Sequence, residues 1–167
     1  MDHRELRLVD GRIFIAGKTL AQGYYWQGQL VPLTNEQGWF DSKDLGRWQG
    51  NNLLIDGRAD NLFISGGENV HCEEIEAVLN QHPHVQVAIV IPVQDSEFGA
   101  RPVAVIRSEA EWCQAIGDTW CQAKLEKFKW PIMYFLLPDA LLDGGIKVSR
   151  AAVKAWLAAN QTQFTPL

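Results

Sequence analysis

The sequence predicts a mixed α/β protein of the α+β kind, in which a small sheet with packed helices follows a short β-rich segment. Before about residue 56, short apolar runs alternate with glycine turns, which is typical of antiparallel strands. From residue 73 onward, segments of helical periodicity alternate with strand-like apolar runs. Because this change falls at residues 57–60, we predict one domain portion over residues 1–58 and a compact α/β domain over residues 59–167.

In the first portion, strands are predicted at residues 6–9, 13–16, 30–33 and 53–55, where apolar side chains lie between turn residues. The stretch leading to Asp44 is interpreted as a turn. These short runs carry few side chains for a core. The portion is therefore expected to be the end of a larger domain.

In the second portion, residues 57–70 are predicted to form a strand and a glycine turn that lead into a helix. That helix is predicted over residues 73–81, since Ile75, Val78 and Leu79 share one face and glutamates occupy the first turn. Further strands are predicted at residues 85–92, 103–107 and 132–136, and further helices at about 109–127 and at 149–160.

The composition is that of a globular protein, with 47% apolar and 21% charged residues and a net charge of −5. Basic residues are scattered, so we expect no nucleic-acid partner, and no apolar run approaches the ~20 residues of a membrane span. The first residues lack a signal peptide's apolar stretch, and three cysteines without paired metal spacing predict free thiols, no metal site and a cytoplasmic location. A homo-oligomer is compatible with this composition.

Four motifs follow one another in an order that resembles a known family. They are a strand at residues 13–17 with a glycine-tyrosine turn at 23–26, Gly-Trp-Phe-Asp-Ser-Lys-Asp at 38–44, Gly-Arg-Ala-Asp at 57–60 and Gly-Ile-Lys at 145–147. Together they resemble the adenylate-forming superfamily of acyl-CoA synthetases and ligases. Within it, residues 63–68, 97–105 and 144–150 look most like the o-succinylbenzoate-CoA ligases of menaquinone synthesis.

The resemblance implies ATP-dependent ligation of o-succinylbenzoate to coenzyme A through an acyl-adenylate. It also implies a mobile carboxy-terminal lid preceded by the end of a large adenylation domain. The phosphate loop, acyl pocket and Mg²⁺ ligands are expected upstream, so the chain is expected to be a fragment that is inactive alone. The implied partners are ATP, CoA and an aromatic carboxylic acid. Alternatives are another acyl- or aryl-CoA ligase, a carrier-loading adenylation domain, or a non-catalytic α/β interaction module.

Lys147 is the predicted catalytic residue. When a carboxylate attacks the α-phosphate of ATP, negative charge accumulates, and a flexible lysine after Gly144 and Gly145 suits its stabilisation. A solvated lysine before the last helix is the alternative.

Asp44 and Arg58 are the predicted nucleotide-binding residues. A carboxylate can accept hydrogen bonds from both ribose hydroxyls, whereas a capping role in a turn is the alternative for Asp44. Arg58 can donate to the same sugar or to phosphate, or simply form a surface ion pair. Lys43 departs from the family, which usually has glycine there, and this leaves the local turn geometry open.

Asp60 is the predicted hinge between the two portions, because a short polar residue can absorb changes in backbone angles. A plain surface aspartate is the alternative. The resemblance places Gly66 and Gly67 along the tunnel for the pantetheine arm of CoA. Arg101 and Arg150 are either contacts for the CoA phosphates or solvated or paired arginines.

Overall fold

A computed structural model describes residues 3–142, 148–161 and 163–167. The chain divides into two compact units, residues 1–60 and residues 61–167. The predicted boundary lies two residues earlier, after residue 58. Its functional meaning, the end of a large domain followed by a mobile lid, stays a prediction.

The first unit consists of antiparallel strands. They are β1 (Glu5–Val9), β2 (Arg12–Ala16), β3 (Gly23–Trp26), β4 (Gln29–Pro32), β5 (Phe40–Gln49) and β6 (Asn52–Arg58). Four of them form a sheet in the order β1-β2-β5-β6, and β3 pairs with β4 as a separate hairpin. Ile13 is buried in this unit, whereas Tyr24, Tyr25 and Trp26 are exposed.

The turn predicted around Asp44 is wrong, because the structure has a ten-residue strand there. Charged residues such as Asp41, Lys43 and Arg47 interrupt the apolar alternation that reveals a strand in a sequence. The backbone of β5 pairs with β2 on one side and with β6 on the other, and this pairing overrides the local propensity. The turn predicted at residues 23–26 is likewise the strand β3, paired with β4.

The second unit has a mixed sheet with three helices, which confirms the predicted α/β class. Its elements are β7 (Leu62–Ser65), β8 (Glu68–His71), α1 (Cys72–Leu79), β9 (Val85–Asp95), β10 (Gly99–Ser108), α2 (Gln114–Gln122), β11 (Tyr134–Leu136) and α3 (Arg150–Asn160). Strand β10 is central, because it pairs antiparallel with β9 along its length and parallel with β11. At its first residue, Gly99, it also meets Ser65 at the end of β7.

Two apolar clusters form the core of this unit, and successive residues of β10 contribute to them alternately. Ala104 and Ile106 belong to the cluster that includes the buried residues of α1 and α2. Val103 and Val105 belong to the cluster that includes Val153 and Leu157 of α3. Each buried Val, Leu or Ile side chain contributes about 1.5–3 kcal/mol, so this alternation holds helices on both faces of the sheet.

Several predicted boundaries are wrong for physical reasons. The predicted glycine turn leads into β8 rather than directly into a helix, because the two glycines close a hairpin. The predicted helix at 109–127 is only Gln114–Gln122. The strands predicted at 85–92 and 103–107 are longer, because β9 and β10 extend each other as one hairpin. No helix among the described residues is long and apolar enough to cross a bilayer.

Candidate functional site

Asp44 and Arg58 lie side by side in the first unit. Antiparallel pairing of β5 with β6 places Asp44 directly opposite Arg58, although fourteen residues separate them in the sequence. Arg58 Nη1 lies 3.5 Å from Asp44 Oδ1. The two side chains are 38% and 44% exposed, so both are accessible to a ligand. The structure thus brings the two predicted nucleotide-binding residues together at one accessible place.

The same guanidinium also holds Asp60, which lies in a short 3₁₀ turn, Ala59–Asn61, after β6. Arg58 Nε donates to Asp60 Oδ1 at 2.9 Å, and Nη2 donates to Oδ2 at 3.0 Å. These hydrogen bonds are the main reason that the pKa of Asp60 is lowered. The carboxyl therefore stays ionised at neutral pH, and Arg58 links Asp44 to the predicted hinge residue.

A second group of charges precedes Asp44. Arg12 Nη2 and Lys43 Nζ both contact Asp41 Oδ2, at 2.6 Å and 3.0 Å. Burial opposes ionisation of Asp41, but the hydrogen bonds from Lys43 and the charge of Arg12 outweigh it and lower its pKa. Lys43 has a φ of +65°, which settles the local geometry that the sequence left open. It adopts the left-handed conformation that glycine would adopt without strain.

Gly66 and Gly67 form the two-residue turn between β7 and β8. Both have positive φ, +60° and +90°, as the mirror-image turns of tight hairpins require. The Gly66 N–H donates to the carbonyl of Phe98 at 3.0 Å, and a Cβ on Gly66 would lie 3.2 Å from the ring of Phe98. A Cβ on Gly67 would meet nothing within 4 Å. The turn therefore presents bare, open backbone at Gly67, while its role toward CoA stays a prediction.

Lys147, together with Gly144 and Gly145, lies outside the described residues. The described residues on either side are anchored in the second unit, because Leu141, Leu142 and Val148 pack against the core cluster that contains Val153 and Leu157. The described residues nearest to the predicted catalytic lysine on both sides therefore have fixed positions in the second unit.

Arg150 is a paired arginine, which was one of the two roles left open for it. Its Nη1 and Nη2 donate to the two carboxylate oxygens of Glu76 at 2.5 and 3.1 Å. Nη1 also donates to the carbonyl of Val90 at 3.0 Å, and the Val90 N–H donates to Glu76 at 2.7 Å. This Glu76–Arg150 clamp joins α3, α1 and β9.

Sequence reasoning missed Glu76, because the pair is separated by 74 residues and no local pattern connects them. Burial raises the pKa of Glu76 to about 7, although the Val90 N–H and Arg150 oppose this shift. The other arginine left open, Arg101, lies over the ring of Phe98, with its Cζ 4.9 Å from the ring centroid.

Comparison with known families gives a match that lies within the second unit. Residues 74–141 match the family model described as the AMP-binding enzyme C-terminal domain. The match runs from α1 to the end of the 3₁₀ turn at Asp139–Leu141, so the AMP-binding enzyme C-terminal domain contains the central hairpin of β9 and β10.

Individual relatives extend the likeness to both units. The chain is 44% identical over 161 residues to a 2-succinylbenzoate–CoA ligase of Salmonella typhimurium, covering 94% of this chain and 34% of that protein. A variant of the Escherichia coli enzyme MenE with bound OSB-AMS has 41% identity and a TM-score of 0.77, with 93% of this chain and 34% of that one covered. The Bacillus subtilis o-succinylbenzoate coenzyme A synthetase in complex with ATP and magnesium has 27% identity and a TM-score of 0.68, with 81% and 30% covered.

These relatives confirm the resemblance predicted from the four motifs. The chain spans about a third of the length of the curated relatives that it matches, 34–35% for the three 2-succinylbenzoate–CoA ligases with 41–46% identity.

Proposed function

We propose that this chain is the part of an ATP-dependent acid–thiol ligase that combines the ribose-binding strip with the mobile lid. The enzyme would join o-succinylbenzoate to CoA through an acyl-adenylate. The observation that carries the proposal is the 44% identity to a 2-succinylbenzoate–CoA ligase over 94% of this chain. The adjacency of Asp44 and Arg58 supports it, because a nucleotide-binding site needs these two residues in one place.

In the first half-reaction, a carboxylate oxygen of the acid attacks the α-phosphorus of ATP, and pyrophosphate leaves. Asp44 would accept hydrogen bonds from the ribose hydroxyls. Arg58 would hold the carboxylate of Asp44 in place and could also donate a hydrogen bond to the sugar. Lys147 would offset the charge that accumulates on the α-phosphate. Removal of such a stabilising group typically costs a factor of about 10²–10³ in rate.

In the second half-reaction, the sulfur of CoA attacks the acyl carbonyl, and AMP leaves. The lid would turn about Asp60 between the two steps, so that the turn of Gly66 and Gly67 faces the pantetheine arm. A turn with bare backbone and open space at Gly67 suits a narrow passage, because a side chain there would narrow it.

ATP would bind with Mg²⁺, and CoA would be the second substrate. Within residues 3–142, 148–161 and 163–167 there is no group of three His, Cys, Asp or Glu side chains that could hold a metal ion. The Mg²⁺ ligands are expected upstream of this chain. A cytoplasmic location and a homo-oligomer remain predictions.

The test uses the longest open reading frame that encodes this chain. The purified protein is incubated with ATP, CoA and o-succinylbenzoate, and mass spectrometry measures the CoA thioester. We expect Lys147→Ala to lower its formation by a factor of about 10²–10³. Lys154→Ala is the matched control, because this lysine of α3 donates to the carbonyl of Leu167 and should not affect the rate.

Asp44→Ala should raise the KM for ATP, and the 167-residue chain alone should form no thioester. If other acids give a CoA thioester and o-succinylbenzoate gives none, the proposed substrate is wrong, while the proposed class of acid–thiol ligase stands. If no acid tested gives a CoA thioester, the alternative of a non-catalytic module is favoured.

A further inference from the structure

Lys43 is in an unusual backbone conformation for its residue type. Among the described residues, three non-glycine residues have positive φ, namely Asp10, Gln27 and Lys43. Asp10 and Gln27 occupy the turns of the first two hairpins, where such angles are common. Lys43 instead lies within β5, at the point where its pairing with β2 shifts register. Lysine is not among the residues that tolerate this region well. Backbone strain of this kind persists where the surrounding structure imposes it, and it is concentrated at functional sites.

Lys43 shares its direct partner, Asp41, with another cation. Asp41 Oδ2 already accepts a 2.6 Å hydrogen bond from Arg12, and Lys43 adds a second cation at 3.0 Å to the same oxygen. The charge of Lys43 also contributes to lowering the pKa of Asp60. Lys43 therefore acts electrostatically on the acidic groups that surround Asp44.

The role of Lys43 follows from the charge balance of these side chains. The carboxylates of Asp41, Asp44 and Asp60 are matched by the cations of Arg12, Lys43 and Arg58. With glycine at position 43, these groups would carry an excess negative charge. The triphosphate of a nucleotide bound within about 10 Å, the range over which charges act in physiological salt, would then be repelled by these carboxylates.

We propose that Lys43 is an affinity-determining residue for the anionic nucleotide, balancing the carboxylates of the ribose site so that a triphosphate can bind beside them. This inference rests on the proposed function, since it assumes that ATP binds at Asp44 and Arg58. It extends that function by assigning a role to a residue that makes this site differ from the usual glycine-containing loop.

The experiment measures the KM for ATP and kcat of acyl-adenylate formation in the full-length protein, by release of pyrophosphate. We expect Lys43→Gly to raise the KM for ATP about 3- to 5-fold at low salt, the size of one exposed charge interaction, with little change in kcat. The difference should shrink at about 0.5 M salt because exposed charges are then screened. The unfolding temperature should not fall, since glycine relieves the left-handed strain.

Two control variants distinguish an effect of the lysine charge from an effect of the backbone conformation. Lys43→Arg keeps the cation and should keep the wild-type KM. Gln27→Gly relieves a left-handed residue, φ +49°, in the turn between β3 and β4 without a change of charge, so it should leave the KM unaltered.

An unchanged KM in Lys43→Gly, with normal wild-type turnover and a clear defect in Asp44→Ala, would overturn the role of Lys43 and leave the proposed function standing. An equal rise of the KM in Lys43→Arg and Lys43→Gly would overturn it too, because charge would not be the cause. If the wild-type protein adenylates no acid, the proposed function and this inference fail together.

Discussion

Replacing Arg150 by alanine should destabilise the second unit strongly at pH 8. The variant loses the two hydrogen bonds of Arg150 to Glu76 and the one to the carbonyl of Val90. It also leaves the carboxylate of Glu76, only 13% exposed, without its cation. Breaking a buried pair by removing one partner costs about 3–5 kcal/mol. Since Arg150 is 25% exposed, water can replace part of the interaction, and we expect the lower end, about 3 kcal/mol.

The free energy of unfolding lost in Arg150→Ala should be smaller at acidic pH. Burial raises the pKa of Glu76 to about 7, above its ordinary 4.5, so folding favours the protonated carboxyl between these two values. The contribution of Glu76 to stability is therefore largest below pH 4.5 and is lost as the pH rises through 7. Without Arg150 the charged form is still less favourable, and Glu73, 3.6 Å from Arg150, also loses a cation. At pH 5 the variant can protonate Glu76, and only about 1 kcal/mol of lost hydrogen bonding should remain.

The assay is urea unfolding of the 167-residue chain at pH 5 and pH 8, followed by the amide NMR signals of α1 and β9. Arg47→Ala is the matched control, because Arg47 forms an ion pair with Asp56 in the first unit while remaining 64% exposed. It should cost less than about 1 kcal/mol at either pH. A loss below 1 kcal/mol for Arg150→Ala at pH 8, or an equal loss at both pH values, would refute the assignment of a buried, proton-linked clamp.

Two further substitutions test the packing of α2 and the glycine turn. Gly117→Ala should lower the free energy of unfolding by about 1–3 kcal/mol, because its Cβ would lie 2.2 Å from Tyr134 Cζ. Tyr134→Leu in the same background should recover part of this loss in urea unfolding, and no recovery would show that the ring is not the obstacle. Gly67→Leu should spare acyl-adenylate formation, measured by pyrophosphate release, and impair thioester formation, measured by mass spectrometry. Gly28→Leu is its control, since Gly28 has a similar φ of +80° and equally open space in the other unit. Equal loss of both half-reactions in Gly67→Leu would contradict the prediction that Gly67 lines the pantetheine tunnel.

Much of the second unit could be predicted because its apolar pattern is local. The helical spacing of Ile75, Val78 and Leu79 predicted α1 to within two residues at each end. Ser149 was the predicted first residue of α3, and the structure has it as the N-cap, where its hydroxyl accepts from the Ala152 N–H. The paired glycines predicted a tight turn, because few other residues adopt positive φ twice in succession. The order of four motifs predicted the family.

The tertiary structure alone decided which distant residues meet. Asp44 is opposite Arg58 because the pairing of β5 with β6 shifts register between Leu45 and Gly46. The register of residues 46–49 would place Asp44 opposite Gly57 instead. Glu76 meets Arg150 because α1 and α3 both approach β9 at Val90. The sequence by itself determined the helices, the turn glycines and the family, since these depend on neighbours in the chain. Register and burial depend on contacts between residues far apart in the chain, and they determined the charge pattern around Asp44 and the partner of Arg150.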